Sequence, residues 1–480
     1  MKYALSLVAM LTCIAFTANS VNAVEPEQVR AVYEQVKPSL VVVEFTYDGE
    51  IGRQEIRGAG IVVDEQGLVM ASLALTPPGV PDAHMVAFKI IIPGDEQQEI
   101  DAVWLGRDER TGLTFLKPAG PSTQPATQPA TQPATQPAAV IAWKPLRFAD
   151  GSVDVGDELV SVGLLPESAG YKAYARTTRV MANLRGPIPQ TLVASGLAGV
   201  GSPVLNAHGQ AIGYVQVQPG HTVLVSGRGD DLDRATAPPS LFVPASELML
   251  SLENPPTLES GVRIPHMGVA QLAGLEEDVA EFYGLKGKPA VQVGDVVPGF
   301  PAAEAGMQNG DIIVAMNGRP LRRGDAPEEA AAALGYDMRR FAVGQEVTFS
   351  VLRMPDEPPV ELTVTMQERP MQAAQAARYF AEDLGFAVRG LVFEDIYDNK
   401  LDRDTTGVVV GFVRPNSSAQ AGELQFGDII TQLNQTNIES LEQFEEAYKA
   451  FREASPAEPV VMQVFRDVDT QIVRIEPPQK

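Results

Sequence analysis

Side chains that could act as nucleophiles, bases or metal ligands are few in this sequence. Its histidines are His84, His208, His221 and His266, and their spacing is not typical of a metal site. The single cysteine, Cys13, lies in an apolar N-terminal stretch that we expect to be removed. Zinc sites draw mainly on clustered histidine and cysteine. We therefore predict no metal, no cofactor, no disulfide and no cysteine nucleophile in the exported chain.

Two short segments have a composition that suggests ion or phosphate binding. Gly196, Gly199 and Gly201 form a glycine-rich run, but no Lys-Ser/Thr pair follows it and no βαβ pattern surrounds it. Residues 395–404 are acidic but lack the glycine and glutamate spacing of a calcium loop. Neither segment predicts a site.

The composition is that of globular domains with an acidic surface. Apolar residues make up 45% of the 480 residues and charged residues 20%, which is enough for packed cores. The formal net charge is −24. Because nucleic acids are bound through lysine and arginine on phosphates, so acidic a chain argues against a nucleic-acid partner.

The first 23 residues are typical of a secretory signal. Lys2 provides the positive charge, Ala4 to Ala18 are mostly apolar, and Val21-Asn22-Ala23 is a small-residue cleavage site. The mature chain is expected to begin at Val24, in the periplasm or cell envelope. No later apolar run approaches the roughly 20 residues of a membrane span, so we expect no transmembrane segment.

The elements that would position a site are mostly strands. Short apolar runs alternate with turn residues over the first half of the chain, a pattern that favours a β-barrel or sandwich. These runs are Leu40 to Phe45, Gly60 to Val63, Val69 to Leu73, Val86 to Ile92, Glu158 to Leu164 and Ala211 to Val217. Pro26 to Val36 is a helix candidate, and the Pro/Thr/Gln/Ala repeat at residues 121–139 is expected to be a surface loop.

The second half contains an internal repeat. The segment PGFPAAEAGMQNGDIIVAMNGRPL from Pro298 matches PNSSAQAGELQFGDIITQLNQTNI from Pro415 if the second copy has one extra residue. Both read Ala-x-Ala-Gly, a spacer, then Gly-Asp-Ile-Ile-x-x-x-Asn. A self-match of this length indicates one domain used twice. The repeated core resembles that of PDZ domains.

The PDZ resemblance implies a peptide groove in each copy. Such domains hold a C-terminal carboxylate on backbone N–H groups, and the ligand adds a strand beside a helix. The implied contact residues are Met267, Gly268 and Val269 in the first copy, and Leu384, Gly385, Phe386, Leu441, Phe444 and Tyr448 in the second.

The two implied groove helices differ in how clearly they can be located. In the second copy, Ser440 and Gln443 are spaced as a capping box before an aromatic stripe. Periodicity alone leaves open whether that stripe lines a groove or closes the core. In the first copy the helix is placed near Pro327 to Leu334, followed by an extra stretch, Gly335 to Phe341.

Four segments before the repeat resemble, in order, the chymotrypsin-like domain of HtrA/Deg proteases. They begin at Arg57, Gly106, Pro145 and Gly201. The resemblance covers nearly the whole mature chain. It implies a mainly β fold, with a two-barrel protease-like domain at residues 24–250. Two α+β PDZ domains would follow at residues 259–368 and 378–476.

The catalytic positions depart from the family pattern. The histidine of the family falls on Ala74, its aspartate on Gly112 and its serine on Val200. Without hydroxyl, imidazole and carboxylate, no nucleophile is activated in the family's way. Ser195 and Ser202 are the nearest hydroxyls, and a displaced triad stays open as an alternative.

The resemblance therefore predicts a non-catalytic protein that binds polypeptides. The expected partners are C-termini or unfolded segments of envelope proteins, in the role of an adaptor, holdase or regulator in protein quality control. Active HtrA paralogues are further candidate partners, and the family's trimers imply a possible homo-oligomer. The competing hypotheses are an active serine endopeptidase and a purely structural subunit.

Overall fold

The computed structural model describes residues 24–50, 52–120, 141–194, 196–216, 241–258, 263–323, 329–402, 404–466 and 469–478. The predicted signal segment and the repeat at residues 121–139 lie outside these ranges. The described chain forms two closed six-stranded barrels, followed by two smaller domains of strands and helices. This confirms the predicted mainly β architecture.

The first barrel follows a helix, α1 (Pro26–Val36), at the predicted position. Its strands are β1 (Leu40–Gly49), β2 (Gly52–Val62), β3 (Val69–Ser72), β4 (Met85–Ile92), β5 (Gln98–Asp108) and β6 (Leu113–Pro118). The order is β1-β2-β3-β6-β5-β4, and β1 pairs with β2 and β4 to close the barrel. The apolar run that begins β1 is buried over six residues, as expected of a strand that faces a core on both sides.

The second barrel has the order β10-β11-β12-β9-β8-β7. Its strands are β7 (Glu158–Leu164), β8 (Ala173–Leu184), β9 (Gln190–Val193), β10 (Pro203–Asn206), β11 (Ala211–Tyr214) and β12 (Leu241–Pro244), and α2 (Met249–Glu253) follows it. Apolar residues of both barrels form one core cluster, in which Phe115 of β6 and Tyr214 of β11 are fully buried. Burial of such side chains stabilises the barrel pair by about 1.5–3 kcal/mol each.

The first repeat domain begins at β13 (Pro265–His266). It continues with β14 (Val269–Gly274), α3 (Glu277–Phe282), β15 (Val291–Val296), α4 (Pro301–Glu304), β16 (Ile312–Met316), β17 (Arg319–Pro320), α5 (Glu329–Met338), β18 (Glu346–Leu352), β19 (Val360–Thr365) and β20 (Gln367–Glu368). The main sheet has the order β14-β15-β16-β18-β19, and β13 pairs with β20 in a separate two-stranded sheet.

Helix α5 extends further than the sequence predicts. The expected end near Leu334 is wrong, because the helix passes through Gly335 and ends at Met338. Leu334 and Tyr336 on either side of the glycine are buried. Their packing offsets the helix-propensity penalty of Gly335, which is about 1 kcal/mol. Most of the presumed extra stretch is thus part of the groove helix.

The second repeat domain has the sheet order β21-β22-β23-β24-β26-β27. Its elements are β21 (Arg378–Ala381), β22 (Phe386–Gly390), α6 (Phe393–Asp398), β23 (Val408–Val413), α7 (Ser418–Ala421), β24 (Ile429–Leu433), β25 (Thr436–Asn437), α8 (Leu441–Ala454), β26 (Val460–Arg466) and β27 (Asp469–Ile475). Ser440 caps α8, since its side chain accepts from the Gln443 amide at 3.3 Å. None of the helices in the described ranges is long and apolar enough to cross a membrane.

Polar contacts tie the first repeat domain to both barrels. Glu247, just before α2, accepts from the Tyr336 hydroxyl at 2.9 Å and from Arg340 at 2.8 Å. Both donors lie on α5 or directly after it. One nitrogen of Arg369, Nη2, donates to both carboxylate oxygens of Glu109 in the first barrel, at 2.8 and 2.9 Å. Helix α5 is therefore held to the segment that follows the second barrel, and the end of the domain is held to the first barrel.

Candidate functional site

The structure joins two of the three positions predicted to replace the triad residues, those of Ala74 and Gly112. Ala74 lies in a 3-10 turn, Leu73–Leu75, that directly follows β3. The Leu73 amide donates to the carbonyl oxygen of Gly112 at 2.9 Å, which joins this turn to the loop between β5 and β6. Gly112 has a positive φ of 72°, a conformation that favours glycine. Ala74 and Gly112 thus come from adjacent backbone segments.

Gln216 occupies the space beside Gly112. Its Nε2 donates to the Thr111 carbonyl oxygen at 2.7 Å. A Cβ atom added to Gly112 would lie 3.0–3.2 Å from the atoms of the Gln216 amide. A side chain at position 112 would therefore meet this amide group. Gln216 could not be identified from the sequence, because a contact over 105 residues leaves no local signal.

The turn around Val200 directs amide groups into the second barrel. The Ala198 amide donates to Ser161 Oγ at 3.2 Å, and the Gly199 amide donates to the Tyr174 hydroxyl at 3.0 Å. An oxyanion hole needs backbone donors aimed at the substrate. These two donors already have internal acceptors.

The candidate substitute hydroxyls do not form an exposed nucleophile in the described residues. Ser202 is only 1% exposed. Its Oγ lies 2.7 Å from the position of a Cβ added to Gly163, which places it inside the second barrel. Ser195 lies outside the described residues.

The histidines are dispersed over the described structure. His84 accepts a hydrogen bond at Nε2 from the Arg378 amide at 3.0 Å, so it faces the second repeat domain. His208 lies in a turn closed by Asn206, and His266 lies in β13. His221 is outside the described residues. No group of three potential metal ligands occurs within the described ranges.

The glycine loops of the two repeat domains share one backbone geometry. In the first, the Met267 carbonyl oxygen accepts from Ala302 at 2.8 Å, and the Gly268 carbonyl oxygen accepts from Val297 at 2.9 Å. Gly268 has a φ of 84°, and an added Cβ would lie 2.0 Å from Phe300. With both carbonyl groups turned inward, the peptide N–H groups are free to face the groove.

The corresponding atoms of the second loop make the same bonds. The Leu384 carbonyl oxygen accepts from Ala419 at 3.0 Å, and the Gly385 carbonyl oxygen accepts from Arg414 at 2.8 Å. Gly385 has a φ of 80°. The repeat seen in the sequence thus extends to the orientation of individual peptide groups.

The groove of the first repeat domain is open. Among the described strands, β14 pairs with β15 alone, and α5 runs beside its other edge. Between them lies a pocket of about 350 Å³. Its lining is mainly apolar and rich in methionine: Ile264, Pro265, His266, Met267, Val269, Leu272, Ala332, Gly335, Met338, Arg339, Met366 and Arg369. Within the described ranges, the amides of Met267 and Gly268 have no hydrogen-bond acceptor.

Two arginines also line this pocket. Arg339 follows α5, and its buried Nε has no hydrogen-bond partner among the described residues. The Arg369 guanidinium lines the same pocket while it pairs with Glu109. Burial, together with the charge of Arg369, lowers the pKa of His266, so its ring is neutral near pH 7. The pocket therefore combines an apolar lining with positive charge and free amide donors.

The groove of the second repeat domain is filled by the chain itself. Strand β21 pairs antiparallel with β22 at the edge that corresponds to the open edge of β14. The Ala381 carbonyl oxygen accepts from the amides of Leu384 and Gly385, at 3.2 and 2.8 Å. The predicted loop donors are therefore occupied by this strand.

The predicted groove residues of α8 contact the same strand. Phe444 and Tyr448 are buried, and the Tyr379 ring of β21 packs against both, with ring centroids 6.1 and 5.8 Å apart. Leu441 and Phe386 belong to the same cluster. The aromatic stripe thus lines the groove and closes the core at once, because an internal strand occupies the groove.

These features are those of a chymotrypsin-like pair of barrels joined to two PDZ domains. Models of the PDZ domain family match residues 292–334 and 383–476. The fold is similar to that of a variant of the HtrA-type protease AlgW solved with a decapeptide, at a TM-score of 0.50 and 16% identity, over 72% of this chain and 98% of the other.

Curated relatives match most of the chain. The chain is 26% identical to a probable periplasmic serine endoprotease DegP-like of Chlamydia trachomatis, over 83% of this chain and 70% of the relative. The proteins of the same description from Pseudomonas putida and Brucella suis are 26% and 25% identical, over 82% and 88% of this chain and 74% of each relative. Over most of its length the chain is therefore similar to HtrA/Deg proteins.

Proposed function

We propose that this chain is a non-catalytic HtrA/Deg protein that binds polypeptide C-termini or unfolded segments in the bacterial envelope. The first repeat domain would be the binding module, and the open apolar pocket of about 350 Å³ between β14 and α5 carries this proposal. Such a protein would serve protein quality control as an adaptor, a holdase or a regulator of active relatives.

The chemistry of the pocket favours a free C-terminus with an apolar last residue. An extended ligand would add a strand to β14, and its last side chain would enter the space lined by Met267, Met338 and Met366. The terminal carboxylate would then meet the amides of Met267 and Gly268. Arg339 adds charge complementarity there, since hydrogen bonds between ionised groups are roughly twice as strong as neutral ones.

The non-catalytic assignment is supported by the residues at the triad positions. Ala74, Gly112 and Val200 supply no base, no orienting carboxylate and no nucleophile. The burial of Ser202 argues against the nearest described hydroxyl as a replacement.

The envelope location is supported by the signal pattern of residues 1–23 and by the relatives. The proteins that match most of the chain are described as periplasmic.

The names of those relatives also favour a second candidate, a serine endopeptidase with a displaced triad. A labelled fluorophosphonate separates the two, because only an activated serine reacts with it. Labelling that is lost in Ser195→Ala or Ser202→Ala would establish the endopeptidase and overturn the non-catalytic proposal.

The binding proposal is tested with paired peptides that end in a free or an amidated apolar residue. Titration by fluorescence anisotropy should show about tenfold weaker binding of the amide, because the terminal charge is lost. Arg339→Gln should weaken binding of the free acid and shrink the difference between the two peptides. Arg319 is an exposed arginine of the same domain, so Arg319→Gln is the matched control. It should change neither the binding of the free acid nor the difference between the two peptides. Equal binding of acid and amide by the unaltered chain contradicts the proposal.

A further inference from the structure

We propose that residues 378–381 act as an internal ligand of the second PDZ groove, and that this groove accepts an external polypeptide only when the strand is displaced. The strand runs antiparallel to β22, and its last residue, Ala381, pairs with Phe386 next to the glycine loop. Both its direction and its end point are those of a PDZ ligand. The proposal concerns the second groove and does not depend on binding in the first.

The face of β21 that points into the groove carries the side chains a ligand would present. Alternate residues of a strand face opposite sides, and both Tyr379 and Ala381 belong to the core cluster beneath α8. Ala381 is 1% exposed, at the position of a ligand's last residue. Lys449 of α8 lies 5.6 Å from the centroid of the Tyr379 ring. A small last residue and an aromatic residue two places before it therefore describe the preferred ligand.

The turn between β21 and β22 is held to the groove helix. The Tyr448 hydroxyl donates to Asp383 Oδ1 at 2.6 Å, and Arg452 Nε donates to Oδ2 of the same carboxylate at 2.7 Å. Both donors lie on α8. The turn thus closes the loop end of the groove, where an external carboxylate would enter.

The opposite face of β21 contacts the first barrel. Arg378 forms an ion pair with Glu50, at the end of the β1–β2 hairpin. The Arg378 amide donates to His84, and the Phe380 ring packs against the His84 ring with centroids 5.2 Å apart. We call this set of contacts, made by Arg378 and Phe380 with Glu50 and His84, the clasp. The clasp favours the state in which β21 lies in the groove, and it does so without any contact to the groove itself.

The first repeat domain indicates that the fold does not require this strand. There the residues before the glycine loop form β13, which pairs with β20 and leaves the edge of β14 open. The two glycine loops have the same bonds and nearly the same φ values. In addition, the PDZ family match begins at residue 383, after β21. The strand is therefore an addition to a groove that is complete without it.

The test uses the exported protein and a peptide with the sequence of residues 373–381, with a free C-terminus and a photo-crosslinking group at its N-terminus. Mass spectrometry of the crosslinked fragments separates the second groove, residues 384–454, from the first, residues 264–339. Since occupancy scales with the open fraction of the groove, the unaltered chain should crosslink weakly in the second groove. Tyr379→Ala should raise that crosslinking at least tenfold.

A disulfide lock provides the opposite change. Phe380 and Ala387 are directly paired, and the distance between such Cα atoms suits a disulfide. The double variant Phe380→Cys, Ala387→Cys has no competing thiol once the signal segment with Cys13 is removed. The oxidised form should show no crosslinking in the second groove, and its reduced form should regain it.

A third variant leaves the groove untouched. Glu50→Gln removes the ion pair of the clasp and should raise crosslinking severalfold, whereas Glu96→Gln, an exposed carboxylate of the same barrel, should not. The proposal is overturned if the oxidised lock crosslinks in the second groove as strongly as its reduced form. It is also overturned if folded Tyr379→Ala protein shows no increase in crosslinking in the second groove. If that variant does not fold, the absence of an increase in Glu50→Gln overturns the proposal instead. Crosslinks in the first groove report on the proposed function separately.

Discussion

At the scale of single residues, the surroundings of Gly112 determine which side chains this position, the predicted site of the catalytic aspartate, can hold. The sequence predicts that Ala74, Gly112 and Val200 stand at the triad positions, because the flanking motifs resemble those of the family. It could not identify Gln216, whose contact with Thr111 spans 105 residues. The positive φ of Gly112 and the neighbouring amide group mean that an aspartate at this position would require changes in the surrounding structure as well as one substitution.

We predict that restoring the triad alone does not restore hydrolysis. The variant Ala74→His, Gly112→Asp, Val200→Ser should leave casein hydrolysis at the level of a buffer control, because an aspartate at position 112 meets Gln216. Gly112→Asp alone should destabilise the fold by about 1–2 kcal/mol through backbone strain and this contact.

Thermal denaturation measures that loss, and adding Gln216→Ala should recover part of it. A triple variant that hydrolyses casein with Gln216 in place would show that position 112 is not blocked.

At the scale of elements, alternation and turn residues predicted most of the barrel strands. The run Glu158 to Leu164 matches β7 residue for residue, because a short apolar segment between turn residues has few other ways to fold. Strand β21 escaped prediction for a physical reason. Its four residues are too few to show a period, and two of them face another domain, so their types reflect contacts remote in sequence. The end of α5 was wrong because packing prevailed over the low helix propensity of Gly335.

Gly335 allows a prediction about α5. It lies in a helix, lines the first pocket, and has no atom within 4 Å of the position of an added Cβ. Gly335→Ala should therefore stabilise the domain by about 0.5–1 kcal/mol. The added methyl group should also narrow the pocket, so that a peptide ending in phenylalanine loses more affinity than one ending in alanine.

Gly318→Ala is the matched control. Its added Cβ also has no neighbour within 4 Å, but its φ is 71°, so the change should destabilise the domain by about 1 kcal/mol. Denaturation and peptide titration measure both variants. An increase of stability in both variants would mean that backbone conformation does not decide whether a glycine-to-alanine change stabilises the domain.

At the scale of the whole molecule, His84 makes the clasp sensitive to pH. Burial lowers the pKa of His84, and the nearby Arg378 lowers it further, whereas Asp48 and Glu50 of the β1–β2 hairpin raise it. Asp82, which lies in the same 3-10 turn as His84, is paired with Arg107. Because Nε2 accepts a hydrogen bond from Arg378 only when the ring is neutral, protonation favours the released strand. The contact is complete above the ordinary histidine pKa of about 6.5 and is lost as the pH falls through the lowered value.

We expect exchange of the β21 amides with deuterium, corrected for the intrinsic effect of pH, to accelerate between pH 7.5 and pH 5. His84→Gln retains a hydrogen-bond acceptor but does not titrate, so it should remove this dependence. An equal acceleration in His84→Gln would assign the effect to other groups.

The covalent connection between β21 and the second PDZ domain sets a concentration scale for any competitor. A segment tethered by a short turn presents itself to its groove at an effective concentration of about millimolar. Ala381 offers a neutral carbonyl oxygen to the loop amides, whereas a free chain end offers a full charge and a stronger hydrogen bond. The second groove would thus bind external chain ends appreciably only where many of them accumulate and their local concentration is high.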